Sequence, residues 1–267
     1  MPVLTIIIPC YNHGRFLNDA VDSALAQTFQ DLEIVIVNDG STDATTNRLL
    51  ANYQRPKTTV IQTENRGVSA ACNTAIQNST GRYLLILDAD DRIAPTYAEK
   101  AIPILESRPN VGIVYCRAEL FGTKQGPWKL APYSLPGILR ENMIFTTAFF
   151  RRADWETLGG LREGIRGEDH DRWLSILELG REVVQIPEVL FFYRRHRNKR
   201  LHRSRLHTRR QQAEDTHRTF LDHRDLYAQH PEVLFTWIRQ LNLEIAELKD
   251  NRLSRRILAA LSRLFSR

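Results

Sequence analysis

Short apolar runs, each closed by a polar cluster and followed by a helical pattern, constrain this chain more than any other feature. Val3 to Ile8, closed by Pro9, and Glu33 to Val37, closed by Asn38-Asp39-Gly40-Ser41, are β-branched and largely lack polar alternation. That is the pattern of parallel strands covered on both faces. Phe16 to Ala26 then sets Leu17, Ala20, Val21, Ala24 and Leu25 at helical spacing, and a second helix runs to Leu50 with Ser41 or Thr42 as its cap. Thr58 to Gln62 is a third strand, Val68 to Gln77 a third helix, and Arg82 to Leu87 a fourth strand running into Asp88. This alternation, packed into about 90 residues, predicts an open α/β sheet. Val111 to Cys116 and Ile144 to Phe150 are further predicted strands on either side of a Gly/Pro-rich loop, Gly122 to Gly137. Glu168 to Leu179 is a short helix, and Phe191-Phe192-Tyr193 ends the last apolar strand.

A chain of 267 residues accommodates one sizeable core with an appendage. Residues 194–210 carry nine Lys/Arg, three His and no acid, so the expected division is residues 1–200 and a basic helical extension, residues 201–267. Periodic helix is predicted from Thr208 to Leu248. In Arg252 to Arg267, Leu253, Ile257, Leu261 and Leu264 share a face opposite several arginines, a pattern suited to an anionic membrane surface or to packing on protein. The net charge of +6 comes from the C-terminal half and points to an anionic partner there. Met1 to Pro9 has neither a basic leader nor a long apolar stretch, and no run approaches the roughly 20 apolar residues of a spanning helix. Three well-separated cysteines, Cys10, Cys72 and Cys116, argue against a disulfide framework or a CxxC zinc site. A reducing cytoplasm is the expected location, with possible contact at the inner membrane face.

Ligands of open α/β sheets bind at the carboxyl ends of the strands. Three polar clusters lie there: Tyr11-Asn12, Asn38-Asp39 and Asp88-Ala89-Asp90-Asp91. The last follows Leu84-Leu85-Ile86-Leu87 and crowds three carboxylates together. Such crowding calls for a hard cation, and Mg²⁺ or Mn²⁺, which take oxygen ligands and bridge phosphates, fit it. A second acidic cluster, Gly167-Glu168-Asp169-His170-Asp171, opens a helix, where acidic residues also suit the helix dipole.

In order and spacing, Thr5-Ile-Ile-Ile-Pro-Cys-Tyr-Asn12, Gln27-Thr28-Phe29, Glu33 to Asp43, Glu64-Asn65-Arg66-Gly67 and Asp88-Ala-Asp-Asp91 together resemble family 2 glycosyltransferases. The resemblance spans about the first 100 residues. It implies a GT-A (Rossmann-like) α/β fold with a mixed, mostly parallel sheet flanked by helices. It also implies a nucleotide diphosphate sugar donor, a divalent metal and inversion at the anomeric carbon. By position, Asp39 matches the aspartate that reads the base, and Pro9, Tyr11 and Asn12 match the strand end bordering the nucleotide. Asp88 and Asp90 match the DxD that contacts ribose and metal, with Asp91 a further candidate metal ligand. Asp169 matches the base that takes the acceptor hydroxyl proton, with Glu168 and Asp171 orienting the acceptor or the helix. Tyr193-Arg194-Arg195-His196 resembles the segment after the acceptor region, where His196 completes the metal shell or touches the diphosphate and Arg194 and Arg195 neutralise the leaving group. The sequence departs from the pattern at Ala71-Cys72-Asn73, where many relatives carry an arginine before the asparagine; Arg66 is the candidate to compensate near the donor. Trp128 and Tyr133, in the Gly122 to Gly137 loop, are candidates to stack on the acceptor.

The expected activity is therefore sugar transfer, with a UDP-sugar favoured, onto a carbohydrate or lipid-linked acceptor in surface polysaccharide or glycoconjugate synthesis. A sugar nucleotidyltransferase is a weaker alternative, because Cys10-Tyr-Asn-His-Gly-Arg15 holds only one glycine. A non-enzymatic nucleic-acid-binding protein is another, suggested by the basic run, but no recognised module accompanies that run and no nucleic acid is expected.

Overall fold

The computed structural model describes residues 2–196 and 209–264. Strands and helices alternate through β1 (Leu4–Cys10), α1 (Gly14–Leu25), β2 (Leu32–Asp39), α2 (Ala44–Ala51), β3 (Thr58–Thr63), α3 (Val68–Gln77) and β4 (Tyr83–Ile86). There follow β5 (Arg92–Ile93), α4 (Tyr97–Ser107), β6 (Val111–Gly122), β7 (Gly126–Pro127), α5 (Leu135–Ile138), β8 (Phe149–Arg151), α6 (Arg152–Thr157), α7 (Glu168–Glu178) and β9 (Glu182–Arg195). The last elements are α8 (Arg209–Asp222), α9 (Arg224–Ala228) and α10 (Pro231–Leu264). Two compact units divide the chain, Met1–Thr219 and Phe220–Arg267. The boundary expected after residue 200 lies outside the described residues, as do the side chains of the amphipathic segment expected from Arg252 onward.

In the first unit the strands form a mixed sheet in the order β3-β2-β1-β4-β8-β6-β9-β5, with β7 paired to β6. β3, β2, β1 and β4 are mutually parallel, as the apolar runs predict. Leu4, Ile6, Ile7 and Ile8 of β1 are wholly buried, and α1 packs Leu17, Ala20, Val21 and Ala24 inward. Registers of Cys10 with Asn38 and of Ile7 with Ile86 bring the polar residues after β1, β2 and β4 to one edge. β8 is antiparallel to both β4 and β6, whereas β9 runs parallel to β6. β9 thus carries Tyr193, Arg194 and His196 to the edge where Asp90 and Asp91 lie, and the Arg194 backbone N–H donates to Asp91 Oδ1 at 2.7 Å.

Three expectations are corrected. The strand predicted over Ile144 to Phe150 is confined to Phe149–Arg151. Upstream, the carbonyls accept from side chains rather than a ladder: Trp173 Nε1 donates to Ile144 O at 2.9 Å and the Tyr97 hydroxyl to Thr147 O at 3.0 Å. The cap of α2 is Asp43, whose Oδ1 accepts from Thr46 N–H at 2.8 Å. Ser41 and Thr42 are occupied instead by Asn12, through its backbone N–H and its Nδ2, each at 3.0 Å. The helical stretch predicted from Thr208 is broken at His223 and before Pro231, which opens α10, a position where its missing N–H costs nothing. In the second unit, Leu226, Tyr227 and Val233 are buried, and the Tyr227 and Trp237 rings lie 5.8 Å apart. No helix among the described residues is long and apolar enough to cross a membrane.

The approach to β4 leaves no room at Gly81: a Cβ there would lie 2.4 Å from the Thr5 backbone nitrogen, while the Gly81 N–H donates to Thr5 Oγ1 at 3.0 Å. Gly81→Ala is expected to destabilise the protein by about 2–3 kcal/mol by forcing β1 and β4 apart. A denaturant midpoint equal to wild type would contradict this packing.

Candidate functional site

Two adjoining clefts open at the carboxyl edge of the parallel strands. The larger, of about 430 Å³, is lined by Pro9, Tyr11, His13, Asp39, Asn65, Gly67, Asp90 and His196 among others. The smaller, of about 300 Å³, is lined by Asp91, Trp128, Asn142, Ile144, Phe145, Thr146, Asp169 and Phe191 among others. Asp88, Glu168 and Tyr193 line both and form the wall they share.

The floor of the larger cleft is held by local hydrogen bonds. Asp39 is almost fully buried, and its Oδ1 and Oδ2 accept from the Arg66 and Gly67 backbone N–H groups at 2.8 and 3.0 Å. Each oxygen retains acceptor capacity for a further donor. Gly40 turns the chain after Asp39 at φ +62°, and a Cβ there would meet the Asn65 nitrogen at 2.4 Å, so only glycine fits. Asn12, at φ +59°, accepts on Oδ1 from the Thr42 and Asp43 N–H groups at 2.7 and 3.0 Å. Its side chain ties the β1 and β2 loops together and lines neither cleft.

The acidic edge follows from the turn after β4. Asp88 is half-buried, and the loss of solvent around its carboxyl, with the charges of Asp90, Glu168 and Asp169, pushes it up to about 7. Asp90 Oδ2 lies 2.6 Å from His196 Nε2, and its Oδ1 lies 3.7 Å from His13 Nδ1. Burial, then Asp90 and Asp88, hold the Asp91 carboxyl well above the usual range, and its buried Oδ2 has no hydrogen-bond partner. Arg194 faces this turn rather than a cleft. Its Nε donates to the Asp90 carbonyl at 2.6 Å, its Nη2 pairs with Asp19, and its guanidinium lies over Phe121 at 4.3 Å. Arg66 turns outward, pairing with Glu163 at 2.8 Å.

On the other side, the first turn of α7 presents Glu168 and Asp169. Asp169 Oδ2 accepts from Asn142 Nδ2 at 2.8 Å, and its Oδ1 from the His170 N–H at 2.9 Å. Burial and the neighbouring Asp169 charge raise the Glu168 carboxyl. Opposite stands an aromatic wall in which Trp128 lies 4.6 Å from Tyr193 and 6.0 Å from Phe145, ring centre to ring centre. Sequence reasoning named Trp128, but Tyr133 is not among the residues lining either cleft. It passed over Tyr193, His13 and Asn142. Tyr193 heads a segment that was singled out and His13 follows Asn12, whereas Asn142 sits in irregular chain with no pattern to mark it.

The donor set is hard oxygen with one imidazole. Among the described residues, no group of three or more His, Cys, Asp or Glu is arranged as a ready-made metal shell. Mg²⁺ and related ions do not need one, because they commonly keep several waters and bind through one or two carboxylates plus substrate phosphates. The unpartnered Asp91 Oδ2, the Asp90 carboxylate lining the larger cleft and the raised carboxyls of this edge fit such an ion.

Comparison with known proteins agrees with this architecture. Residues 5–160 match the family described as Glycosyl transferase family 2. An uncharacterized glycosyltransferase of Rickettsia prowazekii is 41% identical over 124 residues, covering 46% of this chain and 38% of the relative. Chondroitin synthase of Escherichia coli is 31% identical over 187 residues, covering 67% of this chain and 27% of the synthase. The chain thus spans well under half the length of these relatives. Among solved structures, S. aureus TarS 1-349 in complex with UDP-GlcNAc superimposes with a TM-score of 0.63 at 19% identity, covering 78% of this chain and 62% of that one. The mannosyltransferase PcManGT from Pyrobaculum calidifontis, in complex with GDP-Man and Mn²⁺, gives a TM-score of 0.57 at 26% identity, covering 72% and 56%. The fold is GT-A, as the sequence motifs implied.

If Asn12 is the tie between the β1 and β2 loops, Asn12→Ala leaves two backbone N–H groups without their acceptor. A loss of about 1–2 kcal/mol in unfolding free energy is expected. Denaturant titration checks it, and an unchanged stability would show that the loops hold without the side chain.

Proposed function

The chain belongs to glycosyl transferase family 2, and on that premise we propose that it is an inverting enzyme moving a sugar from a nucleotide diphosphate sugar to an acceptor hydroxyl. The observation that carries the reading is the pair of clefts meeting at Asp88, Glu168 and Tyr193, since transfer needs two substrates to meet at one point.

The nucleotide occupies the larger cleft, bordered by Pro9 and Tyr11, with the free acceptor capacity of Asp39 turned to a ring N–H of the base. A UDP-sugar is favoured, with GDP as the alternative base. Asp88 meets the ribose side, and Asp90, Asp91 and His196 hold Mn²⁺ or Mg²⁺. When bound, that ion offsets charge on the departing diphosphate. Arg194 fixes the Asp90–Asp91 turn rather than meeting the leaving group itself, and Arg66 contributes its backbone N–H to Asp39.

The acceptor occupies the smaller cleft, where a sugar ring stacks on the Trp128–Tyr193 wall. Its hydroxyl oxygen attacks the anomeric carbon opposite the diphosphate, the bond to the diphosphate oxygen breaks, and the hydroxyl proton passes to Asp169. Asn142 holds that carboxylate in place while leaving it acceptor capacity. Glu168, at the junction, orients the acceptor. The family assignment displaces the nucleotidyltransferase and nucleic-acid-binding alternatives. Kinship with chondroitin and hyaluronan synthases supports an acceptor that is a growing polysaccharide or lipid-linked glycan. The sequence's basic C-terminal tract supports work at the cytoplasmic face of an anionic membrane.

Transfer and hydrolysis across a panel of UDP-, GDP- and dTDP-sugars with Mn²⁺ or Mg²⁺ test the proposal. One donor is expected to be consumed only with metal. Asp169→Asn is expected to lower kcat by about 100-fold or more with donor affinity retained, the usual scale for a general base, and Asp90→Ala to abolish metal-dependent turnover. Turnover of no donor, with or without metal, would overturn the reading.

A further inference from the structure

Arg172 is the only lysine or arginine among the described residues to be fully withdrawn from solvent, at 5% exposure. It lies one turn beyond Glu168 on α7, and on a helix residues four apart share a face. Its guanidinium sits 4.3 Å from the Trp173 ring centre and 5.5 Å from that of Phe150. Direct hydrogen bonding is poor: Nη2 reaches the Thr146 carbonyl only at 3.4 Å, and the buried Nε has no partner. Thr146, Glu168 and Asp169 all line the smaller cleft, so the charge stands directly behind that cleft's wall.

A buried guanidinium so weakly hydrogen-bonded is unfavourable unless charges nearby compensate it. The acidic groups that feel its field are Cys72 on α3, Asp88 after β4, and Asp169 and Glu168 on α7. Residues 142–150 contribute no titratable group. Other arginines around the site are engaged elsewhere: Arg66 with Glu163, Arg162 with Asp171, and Arg194 with Asp91 and Asp19. α3 presents only the buried, uncharged Cys72 thiol, which burial pushes up to about 12.

We propose that Arg172 is a positioning residue of the transfer site, an interior cation that anchors Glu168 and Asp169 at the acceptor cleft from behind, where α3 supplies no charge. The inference rests on the assignment of Asp169 as the base. That base has to stay ionised until the acceptor arrives, yet it sits among other carboxylates. Its direct partners, Asn142 and the His170 N–H, are neutral, so Arg172, buried one turn along α7, supplies this acidic turn with positive charge through space. Because the effect is one of charge, lysine is expected to replace arginine better than leucine does.

The test is melting temperature from pH ~5 to ~9, with kcat and KM on the same variants. Without Arg172 the folded-state carboxyl of Glu168, already raised by burial and by the Asp169 charge, rises further. The deficit of Arg172→Leu is therefore expected to be full at high pH, where Glu168 is charged, and to shrink as pH falls through its folded value. In a Glu168→Gln, Asp169→Asn background that pH dependence is expected to vanish, which separates these groups from Asp88. On turnover, Arg172→Leu is expected to lower kcat about tenfold or more with donor KM within about twofold, and Arg172→Lys to recover part of it. A deficit constant across pH, or an unchanged kcat in folded Arg172→Leu, would overturn the proposal by reducing Arg172 to packing. Should the leucine variant fail to fold, Arg172→Lys decides. A melting profile parallel to wild type is expected, and one whose deficit grows with pH would contradict a charge role. If wild type turns over no donor, the transfer reading falls, while the melting profiles still decide on Arg172.

Discussion

Asp88, Asp90, Asp91, Glu168 and Asp169 meet at one edge of the sheet, and their mutual repulsion has to be offset wherever the chain allows. Sheet register imposes the crowding. β1, β2 and β4 are parallel and in step, so the polar residue after each emerges at the same level, while β9 and α7 close the edge from the other side. The protein meets the repulsion in two ways. It pairs Asp90 with His196 and seats Asp91 on the Arg194 N–H, and it leaves Asp88, Asp91 and Glu168 with carboxyls raised above their ordinary range. An edge held in this state favours any positive charge that enters it, because such a charge lowers an energy that the fold has left high.

The division into two clefts has an equally local origin. α7 begins at a left-handed glycine, Gly167, and points its acidic first turn at the β4 turn. The segment 142–148, which abandons strand geometry, spends its carbonyls on Trp173 and Tyr97 and so frees Asn142, Ile144 and Phe145 to line the smaller cleft. A regular strand there would have alternated its side chains between the two faces of the sheet and built no wall.

The parallel half of the fold was legible because each strand is apolar on both faces and each helix is amphipathic. Leu4 to Ile8 and the stripe Leu17, Ala20, Val21, Ala24 admit few other readings. The motifs located Asp39, Asp88, Asp90, Asp169 and His196, which the fold brings to the clefts, because chemistry confined to strand ends is short in sequence. Position did not reveal orientation. Asn12, Arg66 and Arg194 lie in the matching segments, yet their side chains bind neighbouring loops and surface acids. The break before β8 was invisible because side-chain hydrogen bonds from Tyr97 and Trp173, distant in sequence, decide it. Arg172 reads as an ordinary helix residue until the packing of α7 shows it sealed from water.

The most direct test of the two-cleft account is a crystal structure with a nucleoside diphosphate and Mn²⁺. The account predicts the base against Asp39, the diphosphate at Asp90 and His196, and the Trp128–Tyr193 cleft left open for an acceptor. A nucleotide seated on Trp128 beside Asp169, with the Asp39 cleft empty, would contradict it.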